Sequence, residues 1–106
     1  MKLQLNINNT YPKKALGQNF IHDKNFLLKL NKFIDSNAQS IIIEIGPGKG
    51  ALTEFLLNKK YKEIFLIEKD NKLASLLKDK YKFKSNLTII NDDALNFDYN
   101  IFYNKN

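Results

Sequence analysis

Hydrophobic and polar positions along the chain follow two different periods. Three short apolar runs, IIIEI at 41–45, EIFLIE at 63–68 and LTIIN at 87–91, end in glycine or acidic residues. Runs of this length and content suit strands buried on both faces of a parallel sheet. Elsewhere the spacing is helical. Phe26, Leu27, Leu30, Phe33 and Ile34 share one face of a helix that Asp23 can cap. Leu52, Phe55 and Leu56 line a second helix, and Leu73, Leu76, Leu77 and Tyr81 a third, which Asp70 can cap. These stripes are core packing. Residues 1–12 read as a mobile, polar, asparagine-rich tail. The pattern is therefore strand, helix, strand, helix, strand, an α/β arrangement with one helix in front.

The first of these runs breaks at once into Gly46-Pro47-Gly48-Lys49-Gly50. Glycines after a strand let the backbone turn sharply and approach a ligand with no Cβ in the way. A Walker loop needs Gly-Lys followed by Ser or Thr, whereas Gly50 follows Lys49 and the first hydroxyl is Thr53. The G-x-G-x-G spacing is one residue short of the dinucleotide fingerprint, which leaves a nicotinamide or flavin site open but ill-fitting. S-adenosylmethionine (SAM) enzymes carry an acid two positions before the first glycine, where Glu44 stands. A carboxylate within an apolar strand is costly unless it finds a partner, and Ile45 beyond it argues against a strand that simply ends there.

Two further acids fall at strand ends. Glu68 lies about twenty residues past the glycine loop, where a carboxylate accepts hydrogen bonds from ribose hydroxyls. Asp92-Asp93 follow the third strand, where an acid can accept from an adenine amino group. Ligands in open α/β sheets bind at the carboxyl ends of the strands, and the loop and the acids all map to that edge.

With KKALGQNF at 13–20 added, the chain resembles the amino-terminal half of the rRNA adenine N6-dimethyltransferases, of the bacterial small-subunit type linked to kasugamycin sensitivity. LGQNF at 16–20, EIGPGKGALT at 44–53, IEKD at 67–70 and DAL at 93–95 carry the resemblance, in order, over about 13–98. It implies a Rossmann-like methyltransferase fold, with residues 13–106 forming part of a SAM-binding domain and three strands in the order 3-2-1. It also implies SAM as cofactor and dimethylation of N6 of adenines near the 3′ end of small-subunit rRNA. Asn19 and Ile21 would close over the cofactor, and Gly46 would border its methionine portion. Glu68 would hold the ribose hydroxyls, and Asp93 the adenine edge. The partner would be the small-subunit rRNA in a pre-30S particle, and the complete protein a cytoplasmic monomer.

The chain departs from that family in lacking the fourth strand with Asn-Leu-Pro-Tyr, which grips the target adenine, and the helical carboxyl-terminal domain. No catalytic residue is assigned, and the chain by itself is expected to bind cofactor poorly and to be inactive, because positioning supplies much of the rate. The strand at 41–45 would have an open outer edge, which invites association. Two alternatives remain: an RNA-binding or ribosome-assembly module with a relic cofactor site, and a resistance-type methyltransferase of the large subunit. That sister group usually has serine at the place of Pro47 and lacks the equivalent of Leu16-Gly17.

Composition changes this picture little. At 106 residues and 43% hydrophobic, the chain suits one domain at most. The absence of cysteine excludes disulfides and thiolate metal sites, and no metal site is expected. No apolar run reaches the length of a membrane span. Net charge is +6 and all 17 basic residues are lysines, which favours a polyanionic partner but provides no bidentate phosphate fork. Lys13 and Lys14 are the first candidates for RNA contact; Lys78, Lys80, Lys82 and Lys84 read as a solvated face. His22 reads as a surface residue beside a helix start, and transfer to an adenine amine requires no histidine base.

Overall fold

The computed structural model describes residues 2–4 and 24–104. Four parallel strands form one sheet in the order β1-β2-β3-β4: β1 at Lys2–Gln4, β2 at Ser40–Ile45, β3 at Glu63–Ile67 and β4 at Leu87–Ile90. Helix α1 (Lys24–Phe33) precedes β2, α2 (Ala51–Leu56) joins β2 to β3, and α3 (Asn71–Lys80) joins β3 to β4. The three expected strands are thus β2, β3 and β4, adjacent as the order 3-2-1 requires. Their carboxyl ends are in register, with Ile45 beside Ile67 and Ile67 beside Ile90.

Side chains alternate across a strand, so each face of the sheet has its own core. Ile42, Ile64, Leu66 and Leu87 pack with Leu30 and Ile34 at α1, Leu52 and Leu56 of α2, and Leu77 and Tyr81 at α3. Ile41, Ile43, Phe65 and Ile67 form the other cluster, closed by Phe102 from a 3-10 helix over Tyr99–Asn104. The Phe102 ring lies 4.7 Å from that of Phe65, and Phe97 and Tyr99 meet edge to face at 5.1 Å. Burial on both faces is why the strands read as continuous apolar runs.

The helical stripes are narrower than their sequence suggests. Ala74, Leu77 and Tyr81 face the sheet, whereas Leu76 is 66% exposed. Neighbouring residues in a helix point roughly 100° apart, and here Leu77 is the one turned to the sheet while Leu76 points away. Phe33 is likewise 56% exposed, while Leu30 and Ile34 are buried.

The expectation of a mobile tail over residues 1–12 meets a strand at Lys2–Gln4. β1 pairs with β2 through Lys2 and Ser40, Leu3 and Ile41, and Gln4 and Ile42, so the outer edge expected to be open is covered. Leu3, Leu5 and Ile7 alternate with period two, a strand signal masked by the asparagines around it. Residues 5–23, with Lys13, Lys14, Asn19, Ile21, His22 and Asp23, lie outside the described residues. Among the described residues, no helix is long and apolar enough to cross a membrane.

Candidate functional site

The loop between β2 and α2 is built around left-handed glycines, with φ 67° at Gly46 and 59° at Gly48. The Gly46 N–H donates to the carbonyl of Ile67 at 2.9 Å, tying the loop to the end of β3. One residue further on, Glu68 turns its carboxylate back under the loop. Its Oε1 accepts from the Gly48 N–H and its Oε2 from the Asp70 N–H, both at 3.0 Å. Glu68 is only 6% exposed, and these bonds offset its burial. Among the described residues, a Cβ built on Gly48 would meet nothing within 4 Å, which leaves open space beside the loop.

Asn91, just past β4, donates from Nδ2 to the carbonyls of Glu68 and Lys69 at 3.0 and 3.2 Å, joining the ends of β3 and β4. Asp93 lies two residues beyond. Its Oδ1 accepts from the Leu95 N–H at 3.0 Å and its Oδ2 from Asn96 Nδ2 at 3.2 Å, with Lys69 Nζ at 3.9 Å. Gly46, Glu68 and Asp93 therefore share the carboxyl edge of the sheet, linked through Ile67, Asn91 and Lys69. Asn19 and Ile21 lie outside the described residues.

Glu44 is fully buried in β2, and the partner its burial demands is Thr53 of α2, whose Oγ1 donates to Oε1 at 2.6 Å. Among the described residues, its Oε2 has no hydrogen-bond partner. The Glu44 carboxyl is pushed up to about 7, chiefly by burial, against the Thr53 bond, which lowers it, and with the charge of Glu68, which raises it. In the sequence Thr53 enters as the hydroxyl that does not fit a Walker loop and as the end of the EIGPGKGALT motif; its position in the first turn of α2 was the available signal for this pairing. A second unforeseen cluster joins α3 to α2. Tyr81 Oη donates to Glu54 Oε2 at 2.5 Å, and Lys80 Nζ lies 3.8 Å from the same oxygen. Burial and the neighbouring Glu54 raise the Tyr81 hydroxyl well above its ordinary value.

The family model of the ribosomal RNA adenine dimethylases matches residues 9–106. The chain belongs to the ribosomal RNA adenine dimethylase family. It is 44% identical over 93 residues to a ribosomal RNA small subunit methyltransferase A of Hydrogenobaculum, covering 88% of this chain and 36% of that protein. The corresponding protein of Pelagibacter ubique is 47% identical over 83 residues, covering 78% of this chain and 30% of that one.

Among solved structures, the 23S rRNA methyltransferase ErmE matches with a TM-score of 0.62 and 26% identity, covering 76% of this chain and 32% of that one. A dimethyladenosine transferase from Plasmodium falciparum matches with a TM-score of 0.60 and 28% identity, covering 73% and 28%. The chain spans about a third of the length of the curated relatives it matches. Membership of a methyltransferase family implies the use of SAM in general.

The residues at this edge suit such a ligand. SAM carries positive charge at its sulfonium and amino groups, and donates hydrogen bonds from its ribose and adenine. Glu68 and Asp93, when ionised, are acceptors only, with lone pairs remaining beside the bonds they already accept.

Proposed function

We propose that the chain binds SAM at the carboxyl edge of its sheet and serves in the dimethylation of N6 of adenines near the 3′ end of small-subunit rRNA. The observation that carries this reading is the Glu68 carboxylate, buried under an open glycine loop and bonded to the Gly48 N–H at 3.0 Å. That bond fixes the loop before a ligand arrives, so little reorganisation opposes binding. Glu68 would then accept from the ribose hydroxyls and Asp93 from the adenine amino group. Gly46, lacking a side chain, would let the methionine portion lie against the backbone, and Asn19 and Ile21 would close over the other side. SAM, when bound, supplies the methyl group from its sulfonium. No residue of this chain is assigned to holding the acceptor base. The substrate would be met within a pre-30S particle in the cytoplasm, by a monomer.

Calorimetric titration of SAM into the chain, carried to concentrations that reach the weak binding expected of it, tests the cofactor assignment directly. D93A should weaken binding by roughly 1–3 kcal/mol, the cost of leaving a buried donor without its acceptor. Equal affinities in D93A and the unmodified chain would overturn the role given to Asp93. Absence of any SAM binding would remove the cofactor reading for the chain.

A further inference from the structure

The two edges of the sheet carry opposite charge. On the carboxyl side, segments 46–50, 68–70 and 91–98 bring Glu68, Asp70, Asp92, Asp93 and Asp98 together with only Lys49 and Lys69. On the amino side, connections 34–39, 57–62 and 81–86 bring Lys59, Lys60, Lys62, Lys82 and Lys84 together with Asp35 and, at the first position of β3, Glu63. Backbone bonds hold these connections side by side: the Lys62 N–H donates to the Ser40 carbonyl at 2.7 Å, and the Ile64 N–H to the Asn86 carbonyl at 2.8 Å. The two edges are separated by the length of β3, roughly 16 Å at about 3.3 Å per residue.

Within this basic edge, Phe83 sits between Lys82 and Lys84 with 90% of its surface exposed. Lys82 Nζ lies 5.3 Å from its ring centroid and 3.4 Å from Asp79 Oδ1. A single exposed apolar residue is ordinary. An exposed ring flanked by lysines is the pairing that single-stranded nucleic acid uses, with phosphates on the cations and a base stacked on the ring. The acidic edge repels phosphate, so an RNA strand reaching this protein gains its electrostatic attraction elsewhere.

We propose that the amino-edge connections form a contact site for single-stranded RNA, distinct from the cofactor edge, in which Phe83 stacks on a base and Lys60, Lys82 and Lys84 neutralise phosphates. The choice of RNA among polyanions rests on the rRNA substrate proposed above. Lysines act as point charges without the guanidinium fork, so the site is tolerant of sequence.

The experiment is fluorescence anisotropy of a labelled single-stranded oligoadenylate, and of a duplex RNA of equal length, titrated with the full chain across a range of potassium chloride. F83A should weaken single-strand binding roughly tenfold. K82A/K84A should lower the log–log salt slope by about 1.4, at about 0.7 for each phosphate no longer neutralised. SAM affinity, measured separately by calorimetry, should be the same in all variants. Unchanged RNA binding in F83A, equal affinity for the duplex, or no RNA binding by the unmodified chain would each overturn the site. Loss of SAM binding with these RNA effects intact would remove the cofactor reading and leave the site standing.

Discussion

Burial of Glu44 inside β2 leaves its carboxyl, among the described residues, with one donor, the Thr53 hydroxyl, and with the like charge of Glu68 nearby. Raised from 4.5 to about 7, it holds a proton in the folded chain that it has lost in the unfolded one between those values. Its contribution to stability is therefore fully present below pH 4.5 and disappears as pH rises through 7. At about 1.4 kcal/mol per unit, the whole effect is on the order of 3 kcal/mol. E44Q keeps the shape and an acceptor for Thr53 but cannot ionise. Urea denaturation should find E44Q and the unmodified chain nearly equal near pH 4, and E44Q more stable at pH 8. A difference that does not change with pH would show that Glu44 ionises freely in the folded state. The buried carboxyl was legible from its place in an apolar run. Its partner was not, because pairing across β2 and α2 depends on how the helix settles on the sheet.

The joint between the glycine loop and its two helices belongs to the scale of elements. Gly50 caps α2 with φ 91°, and a Cβ there would come within 2.9 Å of the Tyr81 hydroxyl at the end of α3. Two constraints thus act on one position: a left-handed backbone, costing a side chain about 1–2 kcal/mol, and a contact from another helix. The first follows from the loop, the second only from packing. G50A should destabilise the chain by roughly 2–3 kcal/mol, and by about 1 kcal/mol less when Y81F removes the hydroxyl. Thermal or urea denaturation of the two single variants and the double variant gives the cycle, and purely additive effects would show that Tyr81 places no constraint on Gly50. Asp70 illustrates the opposite case. Its side chain accepts from the Leu73 N–H at 2.9 Å as the N-cap of α3, a local interaction that the sequence states in full.

At the scale of the whole molecule, β1 decides how the sheet meets solvent. Its pairing with Ser40, Ile41 and Ile42 covers an edge whose unpaired backbone groups would otherwise template association. Deleting residues 1–4 should lower the melting temperature and raise light scattering on heating; a deletion variant that melts like the full chain and stays monomeric would show that β1 does not protect this edge. The sequence by itself determined the elements that rest on local rules: three apolar strands, the helices between them, the glycine turn and the strand-end acids, whose common edge follows from parallel topology. The tertiary structure decided what depends on residues far apart in the chain. It paired Glu44 with Thr53, set Glu68 under Gly48, pressed Tyr81 against Gly50, turned Leu76 outward and placed β1 beside β2. The divide follows the physics, since periodicity and capping act over a few residues, whereas burial partners and strand neighbours are fixed only when the whole core closes.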